Sequence, residues 1–251
     1  MKVGLFGFGK AGRAVANVLQ EDSRFSLQWV ARRTAGVSYV QIADAVSTPS
    51  IPVVGLNSNN IGTWLDKFPV DAIIDFSGKD SLAIYGEEVK HRQIMVVSAI
   101  SAYEESHLQY AHEVGNHTRI VCSPNITLGI NFLILAARLL RNIAPFADVE
   151  ILEQHFKSKT EVSGTARKIA DTLELGTEKI TSLRLGGIVG HHEVIFGFPY
   201  QTVRLVHESI KREAFGTGAV FALTELINYD IGFYTFEDLL MNKIRSQLLN
   251  T

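Results

Sequence analysis

Lys2-Val3-Gly4-Leu5-Phe6-Gly7-Phe8-Gly9-Lys10-Ala11-Gly12 opens the chain with a short apolar run, a glycine-spaced turn and the start of a helix-like segment. Gly7, Gly9 and Gly12 fit G-x-G-x-x-G, and each has a steric task. Gly7 permits the tight turn, Gly9 lets backbone approach a pyrophosphate, and Gly12 lets helix and strand pack closely. The helix expected next, Lys10–Gln20, carries Ala, Val and Leu on one face. Its first turn offers unpaired N–H groups and a partial positive charge to phosphates. The strand before and the amphipathic helix after give the glycine spacing the context it needs. Residues Gly7, Phe8, Gly9, Lys10, Ala11 and Gly12 are therefore candidates for holding a dinucleotide.

The second apolar run, Leu27–Ala31, leads into Arg32-Arg33-Thr34 with no acidic residue. A site for NAD places Asp or Glu there to accept from the ribose 2′-hydroxyl. Arg32 and Arg33 instead suit a 2′-phosphate, which a guanidinium grips with two parallel donors. NADPH is the expected cofactor, with NADH possible.

Further along, strand-like and helix-like segments alternate at the spacing of βαβ units. Ala72–Phe76, Met95–Ser98 and Arg119–Cys122 read as strands, and Leu82–Arg92 and Glu104–Gly115 as helices. The stretch Val37–Asn60, rich in Ser, Asn and Pro, is weakly patterned. Continuous apolar strands with helices between them imply a parallel sheet covered on both faces.

The pattern then changes. Asn131–Asn142 reads as a helix, Val149–Phe156 alternates like a half-exposed strand, and Thr165–Leu175 is helical up to Gly176. Ser182–Gly187, Val189–Phe198 and Gln201–Ser209 are strand-like, with Pro199-Tyr200 as a turn. Thr217–Asn228 and Phe236–Leu249 read as closing helices. The fold class expected is α/β: a Rossmann-type parallel sheet with an inserted α+β domain. Residues 1–124 with 218–251 would form the dinucleotide-binding domain, and 125–217 the substrate-binding and oligomerisation domain.

Composition narrows the function. At 251 residues, with 24 Lys and Arg against 26 Asp and Glu, the chain has no electrostatic footprint for nucleic acid or an anionic membrane. No apolar run approaches the roughly 18–20 residues that span a bilayer. The single cysteine, Cys122, excludes an intrachain disulfide and reads as a buried inert thiol. A reduced thiol and no export signal suit the cytoplasm. No metal site is expected, because neighbours in His191-His192-Glu193 would point to opposite faces of a strand. His107, His112 and His117 read as surface residues. Asp75 and Glu153 suit either structural or catalytic work, and Glu104-Glu105 suits a helix start.

The densest chemistry lies in Glu153-Gln154-His155-Phe156-Lys157-Ser158-Lys159-Thr160-Glu161-Val162-Ser163-Gly164-Thr165-Ala166. A strand ends at a histidine that titrates near neutrality and can donate a proton. Lys159 adds a full charge. Ser163-Gly164-Thr165 opens a helix, where two hydroxyls and free N–H groups suit a carboxylate.

This block resembles the signature of the dihydrodipicolinate reductase family, E-x-H-H-x-x-K-x-D-x-P-S-G-T-A. Asn125-Ile126-Thr127-Leu128-Gly129-Ile130-Asn131 resembles the family's N-x-S-x-G-V-N, and Arg184 to His192 resembles its R-x-G-x-x-x-G-x-H. His207, Arg212, Phe215, Gly218 and Ala219 fall on H-x-x-x-x-R-x-x-F-x-x-G-A, and Asp75-Phe76-Ser77 on D-F-[ST]. The resemblance covers nearly the whole chain. It implies NAD(P)H-dependent reduction of 4-hydroxy-tetrahydrodipicolinate, a cyclic imine-type dicarboxylate, in lysine and diaminopimelate biosynthesis, and a homotetramer. It implies that His155 is the general acid and that Lys159 supports proton transfer and binds carboxylate. Ser163, Gly164 and Thr165 would grip the second carboxylate, with Phe76, Ser77, Ser98, Ala99 and Asn125 near the cofactor.

Three departures bear on substrate. Phe156 stands where the family has its second histidine, a position facing substrate. The segment from Lys159 to Ser163 is one residue shorter and lacks the proline. Ser98-Ala99-Ile100-Ser101 replaces G-T-T-G. Two other readings therefore remain: a related NAD(P)-dependent dehydrogenase of a different amino acid or diamino acid, and a non-catalytic NADP-binding regulator.

Overall fold

A computed structural model of the chain describes residues 1–33, 38–40 and 50–249. Thr34 and much of the weakly patterned stretch after it lie outside the described residues. The chain divides into two compact units, Met1–Thr127 with Phe215–Thr251, and Leu128–Ala214.

The first unit begins with β1 (Lys2–Phe6), α1 (Lys10–Glu21) and β2 (Ser26–Arg32), followed by β3 (Ser38–Val40), β4 (Ile51–Gly55) and α2 (Ile61–Lys67). It continues through β5 (Ala72–Asp75), α3 (Leu82–Arg92), β6 (Met95–Ser98), α4 (Glu105–Gly115) and β7 (Arg119–Cys122). Among the described residues the sheet order is β12-β7-β6-β5-β1-β2-β4-β3, where β12 (Gly232–Thr235) returns late in the chain. Only β3 runs antiparallel to its neighbour. The period-2 geometry of strands divides β1 between two cores. Val3 and Leu5 pack on one face with Val15 and Leu19 of α1. Phe6 packs on the other with Trp29, Tyr85 and Val89. Gly4 belongs to the second row because a Cβ there would stand 2.2 Å from the Trp29 indole.

Four elements escape the sequence pattern, the three-residue β3 among them. Pro52 masks β4, yet it precedes Val53–Gly55, the part that pairs with β2, so its missing N–H is tolerated. The seven-residue α2 is too short to show a period, and β12 is four residues between helices. Cys122 is buried as expected, and burial pushes its thiol up to about 12. His112 and His117 are exposed. His107 is instead part of a capping box, accepting from the Glu104 N–H at 3.2 Å.

The second unit holds α5 (Leu128–Ile143), β8 (Asp148–His155), α6 (Gly164–Thr172), β9 (Ile180–Arg184), β10 (His191–Phe198) and β11 (Gln201–Glu208). Its sheet has the order β11-β10-β8-β9, with β8 and β9 parallel and the other pairs antiparallel. Pro199-Tyr200 is the two-residue hairpin loop between β10 and β11. The inner face packs Val149, Ile151, Val194 and Phe196 against Ile130 and Leu133 of α5 and Ile169 of α6. Glu153 and His155 continue the buried row begun by Val149 and Ile151. The chain closes with α7 (Glu213–Leu226), β12 and α8 (Phe236–Leu249). No helix among the described residues is long and apolar enough to cross a membrane.

Candidate functional site

In the first unit the glycine turn joins β1 to α1. Gly7 sits at φ +89°, and a Cβ there would lie 2.7 Å from the Phe76 backbone. Only glycine lets the turn after β5 cross at that distance. Gly12 is equally constrained, since its Cβ would stand 2.0 Å from the Gly7 carbonyl oxygen. Gly9 is the N-cap of α1, extended and without a side-chain cap, and a Cβ on it would meet nothing within 4 Å. The amino end of α1 therefore opens on free space.

That space is a cavity of about 760 Å³ lined by Gly7, Phe8, Gly9, Arg32, Arg33 and Ser77, among others. The Phe8 ring has the guanidiniums of Arg13 and Arg32 at 4.5 and 4.9 Å from its centroid. A Cβ added at Gly78 would lie 3.7 Å from a terminal nitrogen of Arg33. Asn57 and Gly78 also line the cavity. The sequence hid Asn57 in a stretch without pattern. An uncapped helix start, a bare glycine and two arginines at one strand end fit a phosphorylated dinucleotide.

Asp75 has a structural place. Its fully buried carboxylate accepts from the Ser77 N–H at 2.9 Å, the Ser77 hydroxyl at 2.6 Å, the Tyr85 hydroxyl at 2.8 Å, and Ser81. Burial pushes the carboxyl up, against the pull of these donors. The result is a fixed turn that carries Phe76 and Ser77 to the cavity.

Ser98, Ala99 and Asn125 are not among the residues lining it. The Ser98 hydroxyl is buried and donates to Tyr103 at 2.9 Å, the Ala99 N–H donates to the Asp75 carbonyl, and Ile100 is buried. The Asn125 carboxamide oxygen accepts from the Thr127 hydroxyl at 3.1 Å.

In the second unit β8 turns Glu153 and His155 to the same side. Glu153 is fully buried and accepts from Arg184 through both terminal nitrogens, at 2.7 and 2.9 Å. Ser182 donates to it at 2.7 Å and the Ser163 N–H at 3.2 Å. His155 Nδ1 lies 2.5 Å from its Oε2. Burial alone would raise this carboxyl, but Arg184, Ser182, His155 and the Ser163 N–H together hold it down to about 2. The parallel register, Glu153 opposite Ser182 and His155 opposite Arg184, places these donors on its side of the sheet.

Ser163 caps α6, and its hydroxyl turns inward to His192 Nε2 at 2.8 Å. Of the helix mouth, Gly164 is exposed and Thr165 half-buried. Burial, then the nearby His155 and His207, push His192 down to about 3, so it is neutral. Phe156 is 41% exposed beside His155. Lys159 is half-buried on the loop between β8 and α6, where its N–H bonds the Phe156 carbonyl at 3.0 Å. His155, Lys159 and Ser163 are thus assembled in one unit. Arg184 and His192 complete the arrangement, and their only sequence signal was membership of the block from 184 to 192. Alternation sends His191 toward Glu208 and His192 inward. Among the described residues no group of three or more His, Cys, Asp or Glu could hold a metal ion.

Comparison with known proteins matches the model "Dihydrodipicolinate reductase, N-terminus" over residues 1–126 and "Dihydrodipicolinate reductase, C-terminus" over 125–240. The 4-hydroxy-tetrahydrodipicolinate reductase of Caldanaerobacter subterraneus subsp. tengcongensis is 30% identical, covering 92% of this chain and 94% of that protein. The enzyme of the same name from Thermosipho africanus is 28% identical over 96% and 98% of the two chains. A dipicolinate-bound dihydrodipicolinate reductase from Paenisporosarcina sp. TG-14 shares the fold, with a TM-score of 0.74 at 20% identity over 94% of this chain and 97% of that one. With both halves matched and the order of blocks kept, the chain belongs to the dihydrodipicolinate reductase family.

Proposed function

We propose that the protein reduces 4-hydroxy-tetrahydrodipicolinate to tetrahydrodipicolinate with a reduced nicotinamide dinucleotide, in the cytoplasm, as a step of lysine and diaminopimelate biosynthesis. The observation that carries this reading is one buried carboxylate, Glu153, that meets His155 and the Ser163 N–H at the mouth of α6 and is joined through Arg184 to the backbone of the Lys159 loop, in a chain of this family. The unit Met1–Thr127 with Phe215–Thr251 holds the dinucleotide, and the unit Leu128–Ala214 holds substrate and makes the contacts of a homotetramer. When bound, the dinucleotide supplies a hydride. The 4-hydroxyl leaves as water with a neighbouring ring hydrogen, and His155 supplies the proton that balances the hydride added to the unsaturated ring. Lys159, Gly164 and Thr165 take the substrate carboxylates. Ser163 acts from behind, as the cap that sets the helix mouth. Arg32 and Arg33, with no acid at the end of β2, support NADPH over NADH.

Two observations favour a second reading, in which a related dehydrogenase acts on another amino acid or diamino acid. Phe156 presents a ring where the family pattern has an imidazole, and the Ser98 hydroxyl is used internally by Tyr103. A site that loses polar partners discriminates differently between polar substrates. The deciding assay follows the nicotinamide absorbance with freshly generated 4-hydroxy-tetrahydrodipicolinate, and in the oxidative direction with a diamino-acid panel. Turnover of the cyclic imine alone supports the first reading, and turnover of a diamino acid alone replaces it with the second.

A further inference from the structure

Arg184 uses all its donors within one small region. Its two terminal nitrogens hold Glu153, at 2.7 and 2.9 Å, and its remaining N–H groups donate to three carbonyls, those of Lys159, Glu161 and Leu183, each at 2.8 Å. A guanidinium has five N–H donors in a rigid fork, so none is left over. One end of this side chain thus fixes the carboxylate that meets His155, and the other fixes the loop that carries Lys159.

The carboxylate is correspondingly full. Besides Arg184 it accepts from Ser182 and the Ser163 N–H, and it is 0% exposed. An ionised carboxylate only accepts, so the 2.5 Å contact to His155 requires a proton on Nδ1. The proton that leaves must then come from Nε2. That atom faces Gly190, where a Cβ would stand 3.3 Å away, so a side chain at 190 would crowd it.

We propose that Glu153 and Arg184 form the positioning pair for proton donation: Glu153 holds Nδ1 of His155 so that Nε2 gives up the proton, and Arg184 locks the same carboxylate to the Lys159 loop. This rests on the proposed role of His155. In the step, the N–H bond at Nε2 of the imidazolium breaks, the proton goes to the substrate atom gaining electrons, and the ring is left as neutral imidazole with Nδ1–H still on Glu153. A carboxylate behind a histidine acts similarly in hydrolytic triads, orienting the ring and stabilising the imidazolium.

The groups facing His155 are Glu153 on its own strand, Arg184 across from it on β9 and His192 on β10, the last with ring centroids 5.3 Å apart. His191 and His207 stand next to His192 in sequence or in register. Of these, Glu153 is the negative charge in direct contact with the ring.

The test has two parts. In the free wild-type protein, ¹⁵N NMR of the histidine rings should show neutral His155 protonated at Nδ1. In Glu153→Gln, the preference of His155 for the Nδ1–H form should be lost and kcat should fall about tenfold or more while dinucleotide KM holds. Arg184→Lys, which cannot reproduce the fork, should lower kcat at least tenfold with the same KM pattern. An Nε2–H tautomer in the wild type overturns the proposal even if no variant folds, as does a folded Glu153→Gln with wild-type kcat. Because the NMR measurement needs no substrate, a failed imine assay with the Nδ1–H tautomer counts against the proposed function alone.

Discussion

His155 and the arginine pair carry the predictions that belong to single residues. His155→Gln keeps ring-like hydrogen bonding but cannot carry a proton across neutral pH. It should lower kcat by about 10²–10⁴ and leave dinucleotide binding intact, as steady-state rates and fluorescence titration would show. Unchanged turnover would remove the acid role. Replacing Arg32 and Arg33 together with Ala should weaken NADPH binding far more than NADH binding. A 2′-phosphate loses its bidentate partners, while the rest of the dinucleotide keeps its contacts. Equal losses for both cofactors would end the 2′-phosphate assignment.

At the scale of elements, the turn between β1 and α1 separates two kinds of glycine. Gly7→Ala places a side chain at φ +89° against the Phe76 backbone. It should destabilise the protein by about 1–3 kcal/mol or more, visible in urea unfolding. Gly9→Ala projects a methyl group into open space at φ −78°. Its unfolding midpoint should match the wild type while dinucleotide affinity falls at least tenfold; wild-type affinity would mean that nothing approaches there. Ser163→Ala removes the cap of α6 and the partner of His192 Nε2. A loss of about 0.5–2 kcal/mol is expected from the cap alone, and a melting temperature unchanged from the wild type would place the cap's contribution elsewhere.

For the whole molecule, the second unit sets an acid limit. Glu153 is held at about 2 against an ordinary 4.5, and His192 at about 3 against 6.5. In both windows the unfolded chain binds more protons than the folded one, so stability falls as pH drops. The decline starts near 6.5 from His192, and Glu153 adds to it below 4.5, each at roughly 1.4 kcal/mol per pH unit. Thermal melts from pH 7 to 3 should show this slope, and His192→Gln should flatten its upper part; a flat wild-type curve from 7 to 4 contradicts it. The side of the second sheet away from its core leaves Val206 of β11 and Leu183 of β9 exposed. Light scattering at four times the chain mass would support the proposed homotetramer, and one chain mass would remove it.

Sequence alone determined the class of fold, because it was written in local periodicity. Glycine spacing after an apolar run, apolar faces every three to four residues and the alternation of 149–156 each reflect a constraint that acts over a few neighbours. The same locality explains what it missed. Strand β12 is recognisable only by the neighbour it pairs with, and β4 hides behind Pro52 until β2 is beside it. At the candidate site the sequence named His155, Lys159 and Ser163, but it left Glu153 undecided and said nothing specific of Arg184. Whether a carboxylate is catalytic, structural or positioning depends on which donors surround it. Those donors arrive from β9 and α6, ten to thirty-one residues away. Only the tertiary structure could bring them together. The inward turn of the Ser163 hydroxyl was decided in the same way, by His192 on a strand that the helix start does not adjoin in sequence.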